Sequence, residues 1–312
     1  ATPEIYTLSL HDALPICYGH DEEGYDFVGL TDHGYDMGPA EWREVVRTAD
    51  FYDDAPGFIA VPGYEWTMSG PTRPVGSGHR NVFFTSSEDA LRFTFDDGQV
   101  PDRNDPSSVR IDQIWALLRE KGISDAITIP HHPADKDHPV DWDYHDPDYQ
   151  QVVELFQGRQ SAEYKGCPRQ TPNLTELDGC FVQDALARGY RMGFLASGDH
   201  NSMGVGLACV WVKEPTRAGV MEALRARRCF GTTGSRWFVD FRSDGHFMGE
   251  EYETDAPPHL TGKLVSGKPL KQVTLFRQGQ AILDLDAEAL GGCTEYALDV
   301  TDEGWTPGVY YY

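Results

Sequence analysis

The sequence predicts an α/β fold in which parallel strands are joined by crossover helices, as in a βα barrel, followed by a small β-rich domain. Three observations lead there. Short apolar runs rich in β-branched and aromatic residues recur from Phe27 to Val212. Amphipathic stretches with helix start and stop signals lie between several of them. Beyond Gly234 the helical texture gives way to alternating strand patterns.

The strand candidates, in order, are FVGLT (27–31), FIAVPG (58–63), NVFFT (81–85), AITIP (126–130), VVELF (152–156), MGFLAS (192–197) and LACVWV (207–212). Pro39 stands where a first helical turn tolerates proline, ahead of AEWREVVRTADFY. Ser107 or Ser108 can cap VRIDQIWALLREK, whose Ile111, Ile114, Trp115 and Leu118 share a face, with Gly122 as the stop. Asp178 is placed to open GCFVQDALARGY, and Thr216 to cap RAGVMEALRARR. The tail carries WFVDFRS, HLTGKLVS, QVTLFRQGQAILDL and EYALDV, punctuated by Pro257-Pro258 and glycines, and reads as a small β-sandwich-like domain over 236–312.

Composition narrows the partners. The 312 residues are 40% hydrophobic and 24% charged, a globular balance, and no apolar run approaches a membrane span. A formal charge of −24 lacks the basic footprint that nucleic-acid binding needs, and acidity alone identifies no partner; the small-molecule substrate expected here comes from the site chemistry below. The six cysteines, at 17, 167, 180, 209, 229 and 293, form no CxxC pair and read as buried or free thiols.

In a βα barrel the reacting groups follow the strands, and here strand after strand leads into a histidine or carboxylate. Asp32 and His33 follow FVGLT, Glu65 follows IAVPGY, and His79 precedes NVFF. His131 and His132 follow AITIP, Glu154 lies in VVELF, and Asp199 and His200 follow GFLASG. Histidine nitrogen mixed with carboxylate oxygen suits Zn²⁺, Mn²⁺ or Fe, and a bridging carboxylate lets two ions share a water. No GxSxG elbow or GxxxxGK[ST] loop competes.

The series TDHG (31–34), PGYEW (62–66), GHRNVFF (78–84), IPHHP (129–133), VELFQGRQSAEYKG (153–166) and ASGDHNS (196–202) resembles the PHP superfamily, named for polymerase and histidinol phosphatase domains. More narrowly, with RARRCFGTTG (225–234) and the β-rich tail, it resembles the domain-of-unknown-function family 3604. The resemblance runs from about Tyr25 to the C-terminus. It implies a distorted (β/α)7 PHP-type barrel over 17–235 with up to three divalent metal ions (Zn, Mn or Fe). By motif, Glu65 would bridge two ions, His79 and His131 would complete the second site, and Asp199 would belong to the first. His33 and His200 would serve the third, and Asp32 would be a ligand or would orient His33. His131, rather than His132, occupies the motif position. Glu65, Asp199 and His200 are the expected catalytic residues.

The N-terminus departs from this pattern. Residues 1–16, ATPEIYTLSLHDALPI, resemble a translated sequencing adapter, so His11 is not assigned and the native first strand with its HxH ligands is expected to be missing, leaving a fragment. The implied activity is a metal-dependent hydrolase, a phosphoesterase in the first instance, whose fragment is inactive if that strand is needed. The alternatives are an amidohydrolase-like C–N or C–O bond hydrolase, or a non-catalytic barrel binding carbohydrate or protein. Arg80, Arg159 and Lys165 are candidate phosphate partners beside the motif loops. Tyr64 and Trp66 are pocket or core aromatics, and residues 69–78 are a possible cover.

Overall fold

Strands β1 (Phe27–Gly29) and β2 (Ile59–Val61) run parallel, joined by helix α1 (Pro39–Asp53). The structure is a computed structural model that describes residues 16, 18–53, 57–68, 78–93, 109–158, 160–167, 178–199 and 204–312. Helix α1 starts on Pro39 as expected and buries Trp42, Val45, Val46 and Ala49, an i, i+3, i+4, i+7 stripe. The Trp42 indole N–H donates to the carbonyls of Ala90 and Phe93, pinning a short helix α2 (Ser87–Arg92) that the sequence reading missed. Ser86 caps α2 by accepting from the Asp89 N–H.

After β2 the chain turns at Pro62 and enters a three-stranded antiparallel sheet of β3 (Gly63–Met68), β4 (Gly78–Phe83) and β5 (Ile127–His131), with α3 (Ile111–Glu120) between β4 and β5. Gly63 is required by space: a Cβ there would stand 2.6 Å from both the Phe83 ring and the Val82 carbonyl. Period-two alternation places Tyr64, Trp66 and Arg80 on one face and Glu65, Thr67 and His79 on the other. The first face is core, with Tyr64, Trp66 and Arg80 all fully buried. Tyr64 and Trp66 are therefore packing residues.

Strand β6 (Val152–Gln157) pairs in parallel with β8 (Gly193–Ser197) and antiparallel with the short β7 (Gln160–Ser161), and α4 (Val182–Ala187) lies between β7 and β8. Strands β9 (Leu207–Val210) and β10 (Cys229–Thr232) form an antiparallel pair around α5 (Arg217–Arg225). Thr216 caps α5 as expected, accepting from the Gly219 N–H. Asp178 does not cap α4: Asp184 accepts from the Phe181 N–H there, and Asp178 pairs with Lys165. Ser107 and Ser108 lie outside the described residues; at α3 the Gln113 side chain accepts from the Arg110 N–H.

The expected seven-stranded barrel needs correction, for among the described residues no closed barrel forms. A parallel pairing needs a crossover of a dozen or more residues. Only nine separate Met68 from Gly78, so β3 and β4 pair as a hairpin and break the run of parallel strands. The result is a mixed α/β body of small sheets.

The tail is all strand. Strands β11 (Phe238–Ser243), β12 (His246–Phe247), β13 (His259–Val265) and β16 (Glu295–Thr301) make one antiparallel sheet, and β14 (Gln272–Arg277) with β15 (Gln280–Asp286) a hairpin. The hairpin turns on Gln278 and Gly279, both at positive φ (50° and 74°), as a two-residue turn of this kind requires. Leu260, Leu275 and Leu298 meet between sheet and hairpin. Trp211 ties the tail to the α/β body: its indole donates to the Val239 carbonyl and its ring packs edge-on against Phe238 and Phe247.

Behind the β3–β4–β5 sheet, buried Arg80 donates through Nε to Gln150 Oε1 (3.1 Å), and Gln150 Nε2 donates to His145 Nδ1 (3.0 Å). Burial pushes the His145 imidazole down to about 4; Asp146 opposes this and the Arg80 charge adds to it. An unfolded histidine titrates near about 6.5, so between about 6.5 and 4 the unfolded chain binds the extra proton and the fold loses stability as pH falls. Urea midpoints measured above and below that window should drop more for the wild type than for His145→Asn. An equal drop in both would remove His145 as the cause.

Candidate functional site

The polar face of the β3–β4–β5 sheet carries the first half of the site. Register sets Glu65 opposite Asn81, Thr67 opposite His79, and His79 opposite His131, so three strands deliver one carboxylate and two imidazoles to one patch. The end of β1 is stitched to the same patch: His33 bridges to Glu65, whose N–H donates to the Asp32 carbonyl. The β6–β8 pair brings the second half, with Glu154 on β6 and Asp199 just after β8.

Glu65 sits at the centre and is 4% exposed. Its Oε1 lies 2.5 Å from His79 Nδ1 and 3.5 Å from His33 Nε2, and accepts from the Thr67 hydroxyl at 3.0 Å. Its Oε2 faces His131 Nε2 at 3.9 Å, and the same nitrogen is 3.7 Å from Asp199 Oδ2. Burial works against ionisation of Glu65, but His79, then His131 and His33, overcome it and hold the carboxyl well below the usual carboxylate range.

The imidazoles are oriented by partners on their far sides. His131 Nδ1 lies 2.8 Å from Glu154 Oε2, leaving Nε2 to face Glu65 and Asp199. His33 Nδ1 bonds the Tyr35 hydroxyl at 2.9 Å and its ring stacks on Tyr35, so its Nε2 also faces Glu65. This is how metal-binding histidines are usually fixed. Asp199 accepts from Gln157 Nε2 at 3.1 Å. Burial disfavours a charged His131, yet Glu154, Asp199 and Glu65 together raise its pKa well above the ordinary value. At His79 burial wins over Glu65, pushing the imidazole down to about 4.

His79 tests whether a cation fits. Both its ring nitrogens are buried; Nδ1 meets Glu65 Oε1 at 2.5 Å, and Nε2 has no hydrogen-bond partner among the described residues. A buried orphaned nitrogen beside a carboxylate suits a Lewis acid. Independently, ligand atoms of His131, His132 and Asp199 lie within 4.8 Å of one another, a group that could gather about a metal ion. The donor set fits a divalent ion.

A cleft of about 1230 Å³ opens onto this cluster, lined at one end by Asp32, His33, Glu65, His131, Glu154 and Asp199. Its other walls mix apolar side chains, including Phe83, Ile129, Leu195 and Met221, with Asp26, Asp36, Glu41 and Arg236. The structure thus brings together Glu65, His33, His79, His131 and Asp199, and sets Asp32, exposed, on the cleft wall. His200, Arg159 and residues 69–77 lie outside the described residues. Arg80 is buried on the opposite face, and Lys165 pairs with Asp178 at the surface.

Three residues escaped or were undervalued in the sequence reading. Glu154 lies in its strand with nothing in the sequence to give it a role. His132 stands in left-handed backbone (φ 31°), which turns its ring into the cluster, 4.2 Å from His131 and 4.6 Å from His79. His138, six residues on, lies 4.2 Å from His79 with no strand end to flag it. A second histidine on the loop that follows His132 was the available signal.

Glu154, 2% exposed, accepts from the His132 N–H (2.9 Å) and the Ser197 hydroxyl as well as contacting His131. Removing one partner of a buried charged pair costs about 3–5 kcal/mol. Glu154→Ala should therefore lower unfolding free energy by about that much in chelator, read by urea titration. A loss under about 1 kcal/mol would mean the network does not hold His131.

Three relatives and neighbours frame the chain. An uncharacterised protein of Chlamydia pneumoniae is 23% identical over 336 residues, covering 95% of this chain and 50% of that protein. One of Chlamydia muridarum is 22% identical over 268 residues, covering 78% and 41%. The chain spans half or less of the length of these curated relatives. A solved two-domain protein of Bacteroides vulgatus containing a predicted PHP-like metal-dependent phosphoesterase matches with a TM-score of 0.42 at 13% identity, over 94% of this chain and 81% of that one. No helix among the described residues is long and apolar enough to cross a membrane. A family model described as protein of unknown function (DUF3604) matches residues 22–137 and 182–266, more than half the chain, and the chain belongs to that family.

Proposed function

We propose that this chain carries the centre of a divalent-metal-dependent hydrolase, with phosphoesters as the substrate class. The observation that carries the reading is Glu65: a buried carboxylate with His33 and His79 at one oxygen and His131 at the other, the donor set of a carboxylate shared between ions. His79 with Glu65 would hold one ion, and Glu65, His131 and Asp199 offer ligands for a second. His33, with Asp32 and His200 as motif candidates, would serve a third. Glu65, Asp199 and His200 remain the proposed catalytic residues.

Bound divalent ions supply an activated water at neutral pH and offset charge on a phosphoryl group. The chain's own residues do the rest. Glu154 and Tyr35 hold the tautomers of His131 and His33, and Gln157 fixes the Asp199 carboxylate. Of the described residues lining the cleft, Arg236 carries the one guanidinium and none is lysine, so phosphoryl charge would fall chiefly on the cations. The apolar part of the wall lowers the local dielectric and strengthens that attraction.

Protein purified without chelator should hold at least one equivalent of Zn, Mn or Fe by elemental analysis. Glu65→Ala should lose most of it while keeping the wild-type circular dichroism. Chelation should abolish hydrolysis of phosphomonoester and diester substrates, and added metal should restore it. Metal-free wild type would sink the reading entirely. Metalated protein inert on phosphoesters would sink the phosphoester half and leave C–N or C–O hydrolysis as the next assay.

A further inference from the structure

We infer that His138 is a metal ligand, joining His79 and His132 in a three-imidazole site beside the carboxylate cluster. The inference rests on the metal-centre reading above and adds a residue that no strand end supplies. The three rings are mutual neighbours, with centroids 4.2 Å apart for His79 and His138, 4.6 Å for His79 and His132, and 5.7 Å for His132 and His138. Three imidazoles bound to one tetrahedral ion at about 2.0–2.1 Å keep their centroids about 5 Å apart. The observed spacings straddle that value.

Simple packing does not account for this arrangement. His79 and His132 are 4% and 1% exposed and His138 is half-buried. His79 Nδ1 meets Glu65 at 2.5 Å, while its buried Nε2 has no hydrogen-bond partner among the described residues and is open to a cation.

The backbone is built to bring them together. His132 is held at φ 31°, an unfavourable conformation for a residue with a Cβ, and Glu154 Oε1 anchors its N–H. The chain then folds back through a tight turn in which Asp137 N–H donates to Asp135 Oδ1 and His138 N–H to the Asp135 carbonyl. That turn returns His138 over His79. Strain held by a dedicated turn, ending in a ring beside an orphaned imidazole, is the geometry of a ligand loop.

The test uses the full chain loaded with Co²⁺. His138→Cys should gain a thiolate-to-cobalt charge-transfer band in the near ultraviolet that the wild type, with its own cysteines, lacks. His138→Ala should bind Co²⁺ at least about tenfold more weakly than wild type at one of its sites, by competition with a chromogenic chelator. If the Cys variant loads cobalt without a new band, or the Ala variant binds within twofold of wild type, His138 is a packing residue and the inference falls alone. If wild type takes up no cobalt, zinc or manganese, it falls together with the reading it rests on.

Discussion

The site depends on the register of one antiparallel sheet. Because β3, β4 and β5 pair with Thr67 opposite His79 and His79 opposite His131, three distant stretches of chain are compelled to show their polar side chains on one face. A slip of one residue in β4 would exchange His79 for Arg80, putting a guanidinium in the cluster and an imidazole in the core. Trp66, Tyr64 and Arg80 guard against that slip from behind, since each is fully buried and Trp66 also donates to the Val109 carbonyl. Core packing on one face thus fixes chemistry on the other.

The second constraint is electrostatic. Glu65, Glu154 and the Asp199 side chain are nearly inaccessible, and three carboxylates so close would oppose one another if left alone. The arrangement works because His33, His79 and His131 are interleaved with them, and because neutral donors from Thr67, Ser197 and Gln157 take up remaining oxygens. The balance differs by residue: the same neighbourhood that depresses Glu65 raises His131 and leaves His79 depressed.

Much of this was legible in the sequence, for identifiable reasons. Strand-end positions are readable because an apolar run followed by a polar residue marks both the element and its exit, which located His33, Glu65, His131 and Asp199. Helix α5 was legible through Thr216, and α1 through Pro39. The barrel was not, because an apolar run does not say whether its partner runs parallel, and the short Met68-to-Gly78 connection that decides this contains no periodic signal of its own. Glu154, His132 and His138 were undervalued for a related reason: their roles come from a hydrogen-bond network, a left-handed φ and a turn, which one-dimensional spacing does not encode. Asp178 looked like a cap by type, but Asp184 was better placed to reach the Phe181 N–H.

The left-handed backbone at His132 has an evolutionary consequence. Glycine tolerates that conformation without the penalty a Cβ incurs, by about 1 kcal/mol or more. Selection on folding alone would therefore drift this position toward glycine, shedding the imidazole as it gained stability. A histidine at this position forgoes that stability and sets an imidazole among the clustered rings instead.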